Sequence, residues 1–166
     1  MEKEITEVYC GNGRGKTTLA IGQALRASSQ GKSVIIIQFL KGNERRELDF
    51  LEELDQLDIK IFRFEKMESC YDQLNEEEQA EEERNILNGL NFARKVIATQ
   101  ECDFLVLDEI LGLLDKHIAT VDMVVGLLKQ KDESMHLILT GNRVDPGILD
   151  YVDSVTTITT LGREQN

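Results

Sequence analysis

The sequence predicts an α/β fold, a mostly parallel central sheet with helices on both faces, and three observations carry that expectation. Short apolar, β-branched runs alternate with helical patterns along the chain. The run from Val34 to Phe39 is apolar almost without a break, as in a parallel strand buried on both faces. The stretch Tyr9 to Thr18, Y-C-G-N-G-R-G-K-T-T, lies between a short extended run and a helical pattern. Strand, Gly-rich loop and helix in that order is the setting of a phosphate-binding loop.

Each residue type in that stretch has a physical task. Gly11, Gly13 and Gly15 allow positive φ and a close approach of backbone to an anion, because no Cβ intervenes. The loop amides from Gly11 through Asn12 and Arg14, with the unpaired N–H groups opening the helix at Lys16 to Leu19, are expected to converge on phosphate oxygens. Lys16 adds a point charge and is expected to be an exposed loop lysine, while the Thr17 hydroxyl is placed to ligate Mg²⁺. The usual pattern G-x-x-x-x-G-K-[ST] has glycine where this chain has Cys10. A Gly-rich surface turn beside a lysine is the plain alternative; the strand before and the helix after weigh against it.

A length of 166 residues suits one domain over 1–166, large enough to bury roughly 70% of its unfolded surface. The net charge of −12 argues against nucleic acid or an anionic membrane as a main partner. Binding of a nucleotide triphosphate is left to local positive groups and a metal. Cys10, Cys70 and Cys102 are odd in number and show no C-x-x-C spacing, which fits reduced thiols in a cytoplasmic protein. No signal-peptide pattern and no apolar run long enough to cross a bilayer is present.

In chain order, residues 4–9 read as a strand and 16–30 as a helix, with Leu19, Ile21, Ala24, Leu25 and Ser28 on its apolar face and Gly31 as its stop. After the strand at 34–39 comes the Lys41-Gly42-Asn43 loop. An amphipathic helix at 44–56 follows, with Leu48, Leu51 and Leu54 inward, and then a strand at 59–64. Residues 65–74 are irregular. Asn75 opens a helix to about Thr99 whose first turns carry six glutamates between Glu76 and Glu83. Those carboxylates suit a solvated start at the positive dipole end better than a metal face, since neighbours point around the helix. Phe104 to Leu107 is a buried strand ending in Asp108-Glu109. Ligands bind at that edge of an open parallel sheet, so strand tip and phosphate loop are expected side by side, with Asp108 reaching the metal opposite Thr17. Glu109 is then available to hold a metal water or polarise a reacting group; an N-cap pair for the next helix is the alternative. A helix at 120–131 and a strand at 135–139 lead to Thr140-Gly141-Asn142-Arg143, where Arg143 suits a phosphate, although a surface arginine fits nearly as well. Asp145-Pro146 starts a short helix, and 154–160 is the last strand. His117 and His136 have no partner pattern and read as structural.

The runs G-N-G-R-G-K-T-T, Q-F-L-K-G, V-L-D-E-I and L-T-G-N-R, in this order and spacing, resemble the P-loop corrinoid adenosyltransferases, the ATP:cob(I)alamin or cob(I)yrinic acid a,c-diamide adenosyltransferases. The resemblance runs from Glu7 to about Thr159 and implies a single P-loop NTPase-like (RecA-like) domain. It implies that a Co(I) corrinoid attacks the 5′ carbon of ATP and expels triphosphate, in coenzyme B12 biosynthesis or salvage. Carried over, Gly11 to Thr18 grip the triphosphate with Lys16 as a catalytic charge, Thr17 holds Mg²⁺, and Asp108 or Glu109 completes the metal's shell. Lys41 and Arg143 are further substrate contacts. Co(I) is so strong a nucleophile that no general base is needed, so stabilising the leaving group and positioning do the work. The family's G-F-T-W-like stretch corresponds here to Met67-Glu68-Ser69-Cys70-Tyr71-Asp72, with Tyr71 the aromatic residue and Met67 a second corrinoid candidate. The chain starts almost at its first strand, where family members often carry a longer N-terminal segment, and T-G-N-R stands for the family's T-G-R-N. A flavin-type reductant protein and a homodimer are also implied. Two rival functions use the same residues: a P-loop ATPase or small-molecule kinase with Glu109 as base, and a non-catalytic nucleotide-gated module.

Overall fold

The computed structural model describes residues 3–40, 48–64 and 69–162. Six strands, β1 (Thr6–Cys10), β2 (Val34–Gln38), β3 (Ile59–Arg63), β4 (Phe104–Asp108), β5 (His136–Thr140) and β6 (Ser154–Thr157), form one sheet. Its order is β3-β2-β4-β5-β1-β6, and every pairing is parallel. The long apolar runs are explained by burial on two sides. Val34 and Ile36 of β2 face one layer with Tyr9, Val106 and Ile138, while Ile35 and Ile37 face the other with Val8, Leu105 and Leu137.

Helix α1 (Lys16–Ser29) covers the first layer through Ala20, Ala24 and Ala27. Of the expected face of Leu19, Ile21, Ala24, Leu25 and Ser28, Ala24 is fully buried, while Leu19 and Leu25 flank the alanine stripe, partly buried. Alanines at this spacing let the helix lie close to the sheet. It stops as expected, with Gly31 at φ 82°, its N–H donating to the Ser28 carbonyl and that of Lys32 to Ala27.

The opposite layer is covered by α3 (Glu76–Thr99), α4 (Ile110–Asp115) and α5 (Val121–Gln130), with Ile148 of α6 (Pro146–Leu149) also in that core. Asn75 and Glu78 form a reciprocal capping box at the start of α3. The glutamate run is not wholly solvated, since Glu82 is buried. Gly89 lets α3 settle onto the third strand, because a Cβ there would stand 2.6 Å from the Phe64 ring. The helix expected over 44–56 is a single turn, α2 (Asp49–Glu52), with 44–47 outside the described residues. Leu48 and Leu51 are buried as expected, but Leu54 is exposed. The last strand, expected over 154–160, ends at Thr157.

One further expectation changes. His136 is not without partners: its ring nitrogens lie 3.1 Å from Glu4 Oε2 and 2.7 Å from Glu7 Oε2, and it stacks on Phe104. The tip of β4 and the phosphate loop lie side by side as expected, with Thr17 Oγ1 2.9 Å from Asp108 Oδ1, although β5 stands between β4 and β1 in the sheet.

Candidate functional site

All strand C-termini open on one edge, and the loop between β1 and α1 lies across it. Gly11 and Gly15 have φ of 110° and 101°. Gly13 does not adopt positive φ; it is needed because a Cβ would stand 2.6 Å from the Ile158 carbonyl oxygen. Asn12, Arg14, Gly15 and Thr18 are exposed, whereas Lys16 is buried. Its ammonium donates to the Gly11 and Gly13 carbonyls at 2.8 and 3.0 Å. The expected exposed lysine is thus a cation fixed inside the loop. The amides opening α1 have no acceptor within the helix and carry its positive dipole end.

Next to the loop, the Thr17 hydroxyl donates to Asp108, 2.9 Å from Oδ1 and 3.2 Å from Oδ2. Asp108 is 1% exposed. The intervening strand supplies the bridge that sequence reasoning missed: Thr140, fully buried, donates to Asp108 Oδ1 at 2.7 Å and accepts the Glu109 N–H at 2.8 Å. Gln38 Nε2 donates to Asp108 Oδ2 at 3.1 Å, and its Oε1 accepts from Arg63 Nε at 3.2 Å. The signal for both was present. Gln38 ends an otherwise apolar strand, and Thr140 follows the apolar run 137–139.

Glu109 caps α4 in the left-handed region, φ 64°, with no side-chain cap bond, so its carboxylate is aimed elsewhere. It lines an open pocket of about 410 Å³ with Leu40, Tyr71, Gly112, Asp115, Lys116 and Asn142, among others. Tyr71 and Glu109, far apart in sequence, therefore share one cavity. Tyr71 begins a short 3₁₀ turn, 71–73, and its phenol donates to Glu83 of α3. Gln79 Nε2 donates to the Tyr71 carbonyl at 3.1 Å, and Lys116 Nζ holds both Asp72 oxygens at 2.7 Å. Burial, then the Glu83 carboxylate, pushes the Tyr71 phenol up to about 12, so it stays a neutral donor.

Lys41 and Met67 lie outside the described residues. Arg143 is held by Asp115 at 3.0–3.2 Å, largely exposed, and lines a second pocket of about 350 Å³ with His117 and Pro146. Cys10, Cys70 and Cys102 are free thiols. No described helix is long and apolar enough to cross a membrane.

Thr17 and Asp108 suit Mg²⁺ on a simple test. Octahedral ligands at about 2.0–2.1 Å place neighbouring oxygens about 2.9 Å apart, which is the separation of Thr17 Oγ1 and Asp108 Oδ1. Both are hard oxygen donors. Among the described residues no group of three or more His, Cys, Asp or Glu could hold a metal alone. A cation here would share its shell with phosphate and water, as Mg²⁺ does.

Residues 2–164 match the family model described as ATP:corrinoid adenosyltransferase BtuR/CobO/CobP. The corrinoid adenosyltransferase of Escherichia coli K12 is 30% identical over 160 residues, covering 93% of this chain and 76% of that protein. The corrinoid adenosyltransferase CobA of Salmonella typhimurium is 28% identical over 158 residues, with the same coverage. Among solved structures, a KaiC-like protein of Pyrococcus horikoshii superposes with a TM-score of 0.60 at 19% identity, over 98% of this chain and 76% of that one. That likeness bears on the fold, which is P-loop NTPase-like.

Proposed function

Since the chain belongs to the ATP:corrinoid adenosyltransferase family, we propose that the carboxyl edge of its sheet is where ATP and a reduced corrinoid meet. The protein is an enzyme of coenzyme B12 biosynthesis or salvage that adenosylates a corrinoid at the expense of ATP. In the proposed step the Co(I) electron pair forms a bond to C5′ of ATP. The C5′–O bond breaks, and triphosphate leaves with the electron pair of that broken bond.

The observation that carries the assignment is the Thr17–Asp108 contact of 2.9 Å beside a loop whose lysine is already fixed. Lys16 and the amides opening α1 bind the triphosphate and stabilise the charge it gains on departure. Thr17 and Asp108 would hold Mg²⁺, which supplies positive charge to the same leaving group. Asn12, Arg14 and Thr18, on the exposed rim of the loop, flank the nucleotide. Thr140 and Gln38 keep Asp108 in place, and Glu109 orients metal-bound water or the reacting groups. Tyr71 offers its ring to the corrinoid across the pocket it shares with Glu109. Arg143, and on sequence grounds Lys41 and Met67, complete the proposed contacts. Family membership further supports an external flavin-type reductant, a homodimer and a cytoplasmic location.

Anaerobic incubation with ATP, Mg²⁺ and chemically reduced cob(I)alamin tests the reading. Adenosylcobalamin with one triphosphate per cobalt–carbon bond is expected. ADP and phosphate with no new bond would assign the site to phosphoryl transfer instead, and ATP binding without product would assign it to a nucleotide-gated module.

A further inference from the structure

The three glycines of the loop are glycines for two different reasons. Gly15 needs its positive φ, and nothing lies within 4 Å of where its Cβ would be. Gly11 and Gly13 face the chain itself: Cβ atoms there would stand 2.3 and 2.6 Å from the Ile158 carbonyl oxygen. Ile158 extends the β1–β6 ladder, in which Cys10 pairs with Thr157, by donating its N–H to the Cys10 carbonyl at 2.8 Å. Its carbonyl then accepts the Gly13 N–H at 2.9 Å. Two residues later the Thr160 hydroxyl oxygen accepts the Arg14 N–H at 3.0 Å. On the loop's other side, the Gly11 N–H donates to the Asn142 carbonyl at 2.8 Å.

We infer that residues 158–160 are a strap that sets the conformation of the phosphate loop, with Thr160 a positioning residue for ATP. The Gly11, Gly13 and Arg14 amides are committed to this scaffold. The cradle for the triphosphate is therefore made by the amides opening α1 and by the Lys16 ammonium, whose position depends on the Gly11 and Gly13 carbonyls. The strap acts through the loop, holding those carbonyls toward Lys16 before the nucleotide arrives, and so contributes preorganisation and no direct contact. A displaceable plug would be the opposite device. The ladder continuity through Ile158 and the tight seat opposite Gly11 and Gly13 favour the strap. The inference rests on the assignment of ATP to this loop.

Thr160 is exposed, so replacing it removes little packing. Thr160→Val keeps the shape and deletes the acceptor, whereas Thr160→Ser restores it. The experiment measures ATP affinity by titration calorimetry, KM for ATP and for cob(I)alamin, and amide exchange at Arg14 with and without ATP. Loss of one such hydrogen bond is expected to weaken ATP binding about three- to tenfold in Thr160→Val. Arg14 exchange should speed up in the free variant, the corrinoid KM should be unmoved, and Thr160→Ser should behave as wild type. In wild type the Arg14 amide should stay protected before and after ATP is added. Equal or tighter ATP binding by Thr160→Val would overturn the strap and favour a plug that ATP displaces. Wild-type protein that binds no ATP would overturn the assignment of the loop itself, a result distinguishable from failure of the strap alone.

Discussion

The phosphate loop and the turn at 71–73 flank one sheet edge but are built by different means. The loop is a backbone device: glycines, amides and carbonyls from a few consecutive residues, plus one lysine, determine its shape. The turn is a side-chain device, held by Glu83 and Gln79 of α3 and by Lys116 beyond α4. A backbone cradle is rigid and suits an anion whose geometry never changes. Side-chain tethers on a surface turn are individually weak, which suits a broad partner that needs contact area more than fixed donors. The two ends of the site should therefore fail differently.

The largest effect is expected at the loop. Lys16→Ala should lower kcat/KM by about a hundredfold or more, since the charge facing the leaving group is lost. Because Lys16 is buried on two carbonyls, a lower melting temperature should accompany the loss, readable by calorimetry. Next, Thr140→Val removes the bridge between the Asp108 carboxylate and the Glu109 backbone N–H. With Asp108 buried, a stability loss of about 1–3 kcal/mol is expected in urea titration, together with a higher Mg²⁺ concentration for half-maximal rate.

At the corrin end, Tyr71→Ala should raise the cob(I)alamin KM about tenfold, the scale of one aromatic contact, and leave the ATP KM alone. Lys116→Ala, which frees Asp72, should raise the same KM only about twofold, because the pair is partly exposed. The smallest effect lies at the far edge of the sheet. Glu4 has its carboxyl held below the usual range, chiefly by the Lys32 hydrogen bond and then by His136, against the opposing effect of burial. Its contribution is present above the unfolded carboxylate pKa and lost as pH falls through the lower folded value. Glu4→Gln should thus differ from wild type by under about 1 kcal/mol near neutrality, and the difference should vanish in acid. Acid unfolding curves of the two proteins would show it.

The same contrast explains what could be read in advance. Order and type of strands and helices were legible because buried parallel strands write themselves as apolar runs and capped helices carry their signals locally, as Asn75 and Glu78 do. Lys16, Thr17 and Asp108 were legible because a phosphate loop and an acidic strand tip are local patterns. Thr140 and Gln38 were not, because their role depends on which strand neighbours which, and β5 inserts between β1 and β4. The double task of the glycines was hidden for the same reason: the atom that excludes a Cβ at Gly13 belongs to Ile158, 145 positions away. The partners of His136 were not legible, since Glu4 and Glu7 reach it only across the β1–β5 pairing.

The most direct test of a divided site is steady-state kinetics of wild type, Thr17→Ala and Tyr71→Ala, with ATP and cob(I)alamin varied independently under anaerobic conditions. The expected outcome is a clean separation, Thr17→Ala changing the ATP and Mg²⁺ dependence alone and Tyr71→Ala the corrinoid dependence alone. A Tyr71→Ala enzyme with an unchanged corrinoid KM, or one whose ATP KM moves instead, would contradict the account.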